Sequence, residues 1–212
     1  PSILATLGYA LYDQKLSIEA NFAYVAVGGN RVAVVDLTVP GSPMTTEYAL
    51  PASTKDYGYQ TAVDKGVLYL TGTGDICAFS IQGNGSFPLL SCVATPPPYL
   101  PKQFKIFGNT AYIADSGVLS LIDISSPSKL KLLSSIPIDA WDIAVSGQTL
   151  YVANIDQGIL AYDVSTSSAP VQTLKYMPSS GMKPWSVQTY RLGLMVLGPN
   201  SNICAAEMLR GF

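Results

Sequence analysis

The chain has 212 residues, of which 48% are hydrophobic and 12% charged, with a formal net charge of −2 and no histidine. So little charge excludes a basic face for phosphate backbones, and with it a nucleic-acid partner. The lack of histidine excludes His–Asp triads, histidine metal sites and imidazole acid–base chemistry.

The length suits a single all-β domain, residues 1–212, large enough to bury a core. No apolar run approaches the roughly 20 residues of a membrane span, and no secretory leader is recognisable. The abrupt opening Pro1-Ser2-Ile3-Leu4 reads as that of a processed or excised piece. Little Lys and Glu beside much Ser, Thr, Tyr, Gly and Pro is a composition of secreted or cell-surface proteins.

In chain order, Pro1 to Leu7 predicts a proline loop and then an outermost strand. A repeated phrase follows. It reads Tyr-Val-Ala-Val-Gly-Gly-Asn-Arg-Val-Ala-Val-Val-Asp-Leu from Tyr24 and Tyr-Ile-Ala-Asp-Ser-Gly-Val-Leu-Ser-Leu-Ile-Asp-Ile from Tyr112. A third clear copy runs from Tyr151 to Val164, and weaker copies start at Tyr69 and Met195. The heads are 45, 43, 39 and 44 residues apart, the period of propeller blades.

Each copy predicts four strands. The first precedes the head, at Leu16–Glu19, Gln60–Val63, Gln103–Phe107, Trp141–Val145 and Trp185–Thr189. The second carries the head. The third follows a Gly-, Asn- or Asp-rich turn that tolerates positive φ, and ends on Asp36, Ser80, Asp123, Asp163 or Glu207. A proline loop leads to the fourth. The last copy stops at Phe212 with no fourth strand, which Pro1–Leu7 supplies. The expected fold is therefore a five-bladed β-propeller of four-stranded antiparallel blades, its ring closed by the N-terminal strand pairing with the C-terminal blade. Such closure removes exposed sheet edges.

The Val-Val-Asp-Leu, Leu-Ile-Asp-Ile and Ala-Tyr-Asp-Val cores, with Ile-Ser-Ser-Pro after the copy at Tyr112, resemble LVIVD repeats across essentially the whole chain. The copy around Ala78-Phe79-Ser80-Ile81 departs from the pattern in lacking the acid. The resemblance implies a β-propeller in a surface or secreted setting, and it brings no catalytic residues.

The once-per-blade acids Asp36, Asp123, Asp163 and Glu207 are expected to accept backbone N–H bonds in turns. The heads Tyr24, Tyr69, Tyr112 and Tyr151 are expected to pack between blades. Trp141, Trp185 and Tyr59 share the position ten residues before a head, at the start of the innermost strand. They are expected near the channel mouth with Tyr57 and Tyr99. The turn residues Asn30, Asp75, Asp115, Asn154, Asp156 and Asn200 are expected among them. Aromatic platforms beside amides and carboxylates suit sugars. The turn acids are too sparse for a calcium loop, and no cofactor or metal is expected.

Cys77 and Cys92 flank the Asn84-Gly85 turn symmetrically, so a disulfide between them is open. Cys204 has no obvious partner. Asn84-Gly85-Ser86 is an N-glycosylation triplet in an expected loop. Pro96-Pro97-Pro98 and Pro101 stiffen the link between the second and third blades.

The function expected is that of a non-enzymatic interaction or structural module, secreted or at the cell surface. It would bind a protein or glycan through the face over the channel, with self-assembly or a larger parent chain as further settings. A lectin-like propeller is the alternative. A glycoside hydrolase, drawing on Asp56, Asp139 and Asp142, is the third reading, and needs two carboxyl groups converging near the axis.

Overall fold

The computed structural model describes residues 16–39, 41–51, 57–97, 101–178, 181–190, 193–200 and 203–209, and of 57–59, 199, 200 and 203–209 only the backbone. Among these residues, antiparallel strands form five sheets, each in sequence order. The first holds β1 (Leu16–Glu19), β2 (Phe22–Gly28), β3 (Arg31–Asp36) and β4 (Met44–Ala49). The second holds β5 (Tyr57–Asp64), β6 (Val67–Gly72), β7 (Asp75–Ser80) and β8 (Leu89–Ala94). The third holds β9 (Gln103–Phe107), β10 (Thr110–Asp115), β11 (Val118–Asp123) and β12 (Lys131–Ile136). The fourth holds β13 (Asp142–Ser146), β14 (Thr149–Asn154), β15 (Gly158–Asp163) and β16 (Val171–Tyr176). The fifth has three described strands, β17 (Ser186–Tyr190), β18 (Gly193–Asn200) and β19 (Ile203–Leu209). Pro1–Leu7, the segment expected to add a fourth, lies outside the described residues.

The turns follow from local chemistry. Gly29 and Asn30 have φ of +58° and +55°, and they join paired Gly28 and Arg31. Two successive positive φ values give a turn that twists with the strands, which is why Asn and Gly stand there. Gly158 is required for a different reason. A Cβ on it would lie 2.1 Å from the Tyr176 carbonyl oxygen at the end of β16.

The register repeats. Ser17, Ala62, Lys105, Ala144 and Gln188 stand opposite Tyr24, Tyr69, Tyr112, Tyr151 and Met195 respectively. Side chains alternate along a strand, so each middle strand presents two faces. In the second, third and fourth sheets both are buried, because each meets a neighbouring sheet. The core is accordingly divided among sheet-to-sheet interfaces. Tyr24 packs with Leu68 and Phe79 of the second sheet. Tyr69 packs with Ile113 and Ile122 of the third. Tyr112 packs with Leu150 and Leu160 of the fourth, and Tyr151 with Val187 and Val196 of the fifth.

The four head tyrosines are 1–7% exposed, as expected of packing groups. Burying each side chain contributes about 1.5–3 kcal/mol. Burial also pushes the Tyr69 hydroxyl up to about 12, helped by the nearby Asp64 charge. Burial raises Tyr112 as well.

Polar links join the same neighbours near the rim. Ser91 Oγ donates to the Pro127 carbonyl at 2.7 Å and accepts from Leu130 N at 3.2 Å. Ser134 Oγ donates to the Ser167 carbonyl at 2.7 Å, one sheet further on. At the inner edge, β1 lies beside β5, β5 beside β9, β9 beside β13, and β13 beside β17.

Candidate functional site

The first strands of all five sheets contribute to one cavity of about 550 Å³. They therefore line a shared channel, the inner wall of a β-propeller. Two levels of that wall carry polar side chains. Ser17, Lys105 and Gln188 stand at the level of the heads. Gln103, Asp142 and Ser186 stand two residues earlier, on the same face of their strands.

Asp142 is the most heavily bonded of these groups. Its Oδ1 accepts from Ile143 N at 2.8 Å and from Lys105 Nζ at 3.3 Å. Its Oδ2 accepts from Ser186 Oγ at 2.7 Å and from Val187 N at 3.1 Å. A carboxylate has about four lone-pair sites, and four donors fill them. Lys105 Nζ also donates to the Ile143 carbonyl. This carboxylate thus ties the third, fourth and fifth sheets together at their inner edges. Of the other acids weighed for glycoside hydrolysis, Asp139 is bonded to Lys102 at 2.6 Å, and Asp56 lies outside the described residues.

In three sheets the residue just before the inner strand stands at the channel mouth. The backbone N–H groups of Lys102, Trp141 and Trp185 donate to Ala114, Ala153 and Leu197 respectively, each at 2.9 Å. The same bond in three sheets places the three side chains at one end of the channel. Trp141 is 39% exposed and Trp185 43%. Lys102 Nζ lies 4.2 Å from the centroid of the Trp141 ring, so a cation covers one face of that indole. Lys102 stands ten residues before Tyr112, the spacing already noted for Tyr59, Trp141 and Trp185. Comparing every residue at that position, rather than the aromatic ones alone, would have found it. The Tyr59 and Tyr57 side chains and the whole of Tyr99 are outside the described residues.

The turn residues expected on this face behave differently. Asp75, Asp115 and Asn154 are 8%, 5% and 4% exposed, so they do not offer open ligand groups. The reason is local bonding. Asn154 Oδ1 accepts from Asp156 N at 2.9 Å and Gln157 N at 2.7 Å, and its Nδ2 donates to the Asp139 carbonyl at 2.8 Å. Asp115 Oδ1 accepts from Ser116 N at 2.6 Å. Asp156 is exposed. The Asn154–Asp139 bond shows that the turn after the second strand and the loop entering the first share one end of the fourth sheet.

The repeated acids are turn devices, as expected. Asp36, Asp123 and Asp163 accept from the backbone N–H two residues on, at 2.8, 2.9 and 2.8 Å. The Glu207 and Cys204 side chains are outside the described residues. Cys77 and Cys92 are directly paired across β7 and β8 and form a disulfide with Cα atoms 4.1 Å apart. Asn84 is exposed, and its Oδ1 accepts from Ser86 N at 3.0 Å. Among the described residues no group of three His, Cys, Asp or Glu side chains is placed to hold a metal. Among them, too, no helix is long and apolar enough to cross a membrane.

Comparison with solved structures supports the propeller architecture. The N-terminal domain of Nup159 superposes with a TM-score of 0.62 at 16% identity, over 96% of this chain and 59% of that one. A structure of S. cerevisiae Dbp5 bound to Nup159 holds a chain that matches at 0.60 and 16% identity, over 93% of this chain and 54% of that one. BamB from Moraxella catarrhalis matches at 0.61 and 12% identity, over 92% and 61%. A Bacteroides uniformis protein provisionally assigned as a 6-phosphogluconolactonase matches at 0.72 and 16% identity, over 91% and 65%. The chain thus spans less than two thirds of the length of each of these proteins. No curated protein matches the sequence. The model of the LVIVD repeat matches residues 12–48, 102–136 and 138–178, which takes in the three clear copies and more than half of the chain. With the repeat matched there and the sheets laid around a channel, the chain belongs to the LVIVD repeat family.

Proposed function

We propose that this chain is a non-enzymatic interaction module of a secreted or cell-surface protein, binding a protein partner across the mouth of its channel. The observation that carries the reading is the group formed by Lys102, Trp141 and Trp185. These large side chains are held at one end of the channel by the same backbone bond, and both indoles remain more than a third exposed. Trp is enriched where interfaces concentrate their binding energy. The bonding of Asp142 argues against enzymatic chemistry at the channel, because a general acid needs a proton turned toward substrate. Nup159, which Dbp5 binds, offers an example of a propeller-like chain with a protein partner. The Cys77–Cys92 disulfide favours an oxidising compartment.

In this reading the propeller has five blades, with the strand at Pro1–Leu7 completing the sheet of β17, β18 and β19. Photo-crosslinking in the native host tests the function. A photoreactive residue at 141 or 185 should trap one discrete protein, and one at Leu89 or Val171 on the outer strands should not. Equal trapping at all four positions, or turnover of a substrate by the purified chain, would overturn it. A glycan is the second reading, favoured by the exposure of the two indoles. Glycan-array binding that is lost in the Trp141→Ala, Trp185→Ala double variant would move the assignment there.

A further inference from the structure

We infer that the channel itself, distinct from the mouth, is a binding site for a small uncharged molecule rich in hydroxyl groups, of the sugar or polyol class. Its volume of about 550 Å³ falls within the usual range of small-ligand pockets, about 300–1,000 Å³. The chemistry of the wall selects the class by elimination.

Among the described residues the wall carries one cation and one anion, Lys105 and Asp142, and they are bonded to each other. An anionic ligand would meet the Asp142 carboxylate beside the ammonium. A cation, metal or organic, would meet the ammonium beside a carboxylate whose lone pairs already serve four donors. A wholly apolar ligand would strip water from the side chains of Gln103, Gln188 and Ser17 and give no hydrogen bond back. A polyhydroxyl compound avoids all three penalties. Its hydroxyls can meet the amides and the serine, and they can accept from Lys105, whose three N–H groups include one beyond those given to Asp142 and Ile143. Its C–H faces can lie against the apolar part of the wall, Leu16, Val63, Phe104 and Ile106.

Isothermal titration of the whole chain with D-glucose, D-galactose, D-xylose, N-acetyl-D-glucosamine and myo-inositol tests this. At least one probe is expected to bind saturably. Gln188→Leu and Gln103→Leu should each weaken that binding by about tenfold. Ser17→Phe, which fills the channel, should abolish it, with each variant's melting curve confirming that it is folded. The Trp141→Ala, Trp185→Ala variant should bind as before. No heat from any probe at the highest soluble concentration would overturn the inference. So would binding that survives the three channel variants, or that is lost on removing the tryptophans. The crosslinking result at the mouth is read independently, so either assignment can fail without the other.

Discussion

Lys102 Nζ sits between the face of the Trp141 ring, 4.2 Å from its centroid, and Asp139 Oδ1, 2.6 Å away. One side chain of the third sheet thereby holds the mouth residue of the fourth. The Lys102 side chain is 20% exposed and that of Asp139 47%, so the ion pair is partly screened. Lys102→Ala should cost about 1 kcal/mol in urea unfolding. It should also open the covered indole face, raising fluorescence quenching of Trp141 by acrylamide in a Trp185→Phe background. Unchanged quenching would show that the lysine does not cover the ring in solution.

The four donors around Asp142 make a larger demand. Asp142→Ala would leave the Ile143 and Val187 N–H groups without their acceptor and the Lys105 ammonium with the Ile143 carbonyl alone. Leaving a buried donor unsatisfied costs about 1–3 kcal/mol, and chemical denaturation should show a loss of at least that size. A loss below about 1 kcal/mol, the scale of an ordinary substitution, would mean that water replaces the carboxylate freely.

The disulfide joins residues 15 apart in sequence. Closing a loop of that length in the unfolded chain stabilises the fold by about 3 kcal/mol. Reductant, or the Cys77→Ala, Cys92→Ala pair, should therefore lower the denaturation midpoint. The chain has three cysteines. Thiol titration of the unfolded, unreduced protein should find one, Cys204. Finding all three would refute the bridge.

Stability should fall at both ends of the pH scale. Hydrogen bonds from Thr38 lower the Asp36 carboxyl below its ordinary 3.8, those from Ser125 lower Asp123, and those from Ser165 lower Asp163. A lowered folded value means stability that is present above 3.8 and is lost as pH falls through the folded values. Tyr69 works in the opposite sense. Its value, raised from 10.0 to about 12, gives stability that is full below 10.0 and lost as pH rises toward 12. Melting curves across pH should show both limbs. Asp123→Ala should flatten the acid limb, and Tyr69→Phe the alkaline one. An acid limb unaltered by Asp123→Ala would remove the turn aspartates as its cause.

The repeat makes most of the scaffold legible in the sequence. Tyr24, Tyr69, Tyr112 and Tyr151 could be assigned to the core, and Asp36, Asp123 and Asp163 to turns. The turn role depends on neighbours within one copy, and the core role on an apolar pattern that recurs from copy to copy. Inner strands β1 and β9 were legible to the residue. Period-two alternation and Gly-Asn turns are local signals, written wherever the backbone requires them.

What the sequence by itself determined is the strand order of the first four sheets and the place of the repeated tyrosines and aspartates within them. Only the tertiary structure decided what the sheets share. Lys105 and Asp142 are 37 residues apart and meet across a boundary between sheets. Asp142 and Ser186 are 44 apart, and meet across the next. No periodicity encodes such pairs, because repeats specify strands and not the side chains facing one another around an axis. For the same reason Asp115 and Asn154, polar turn residues that looked open, proved to be spent on their own loops. Trp141, which looked free, proved to carry a lysine from the sheet before it.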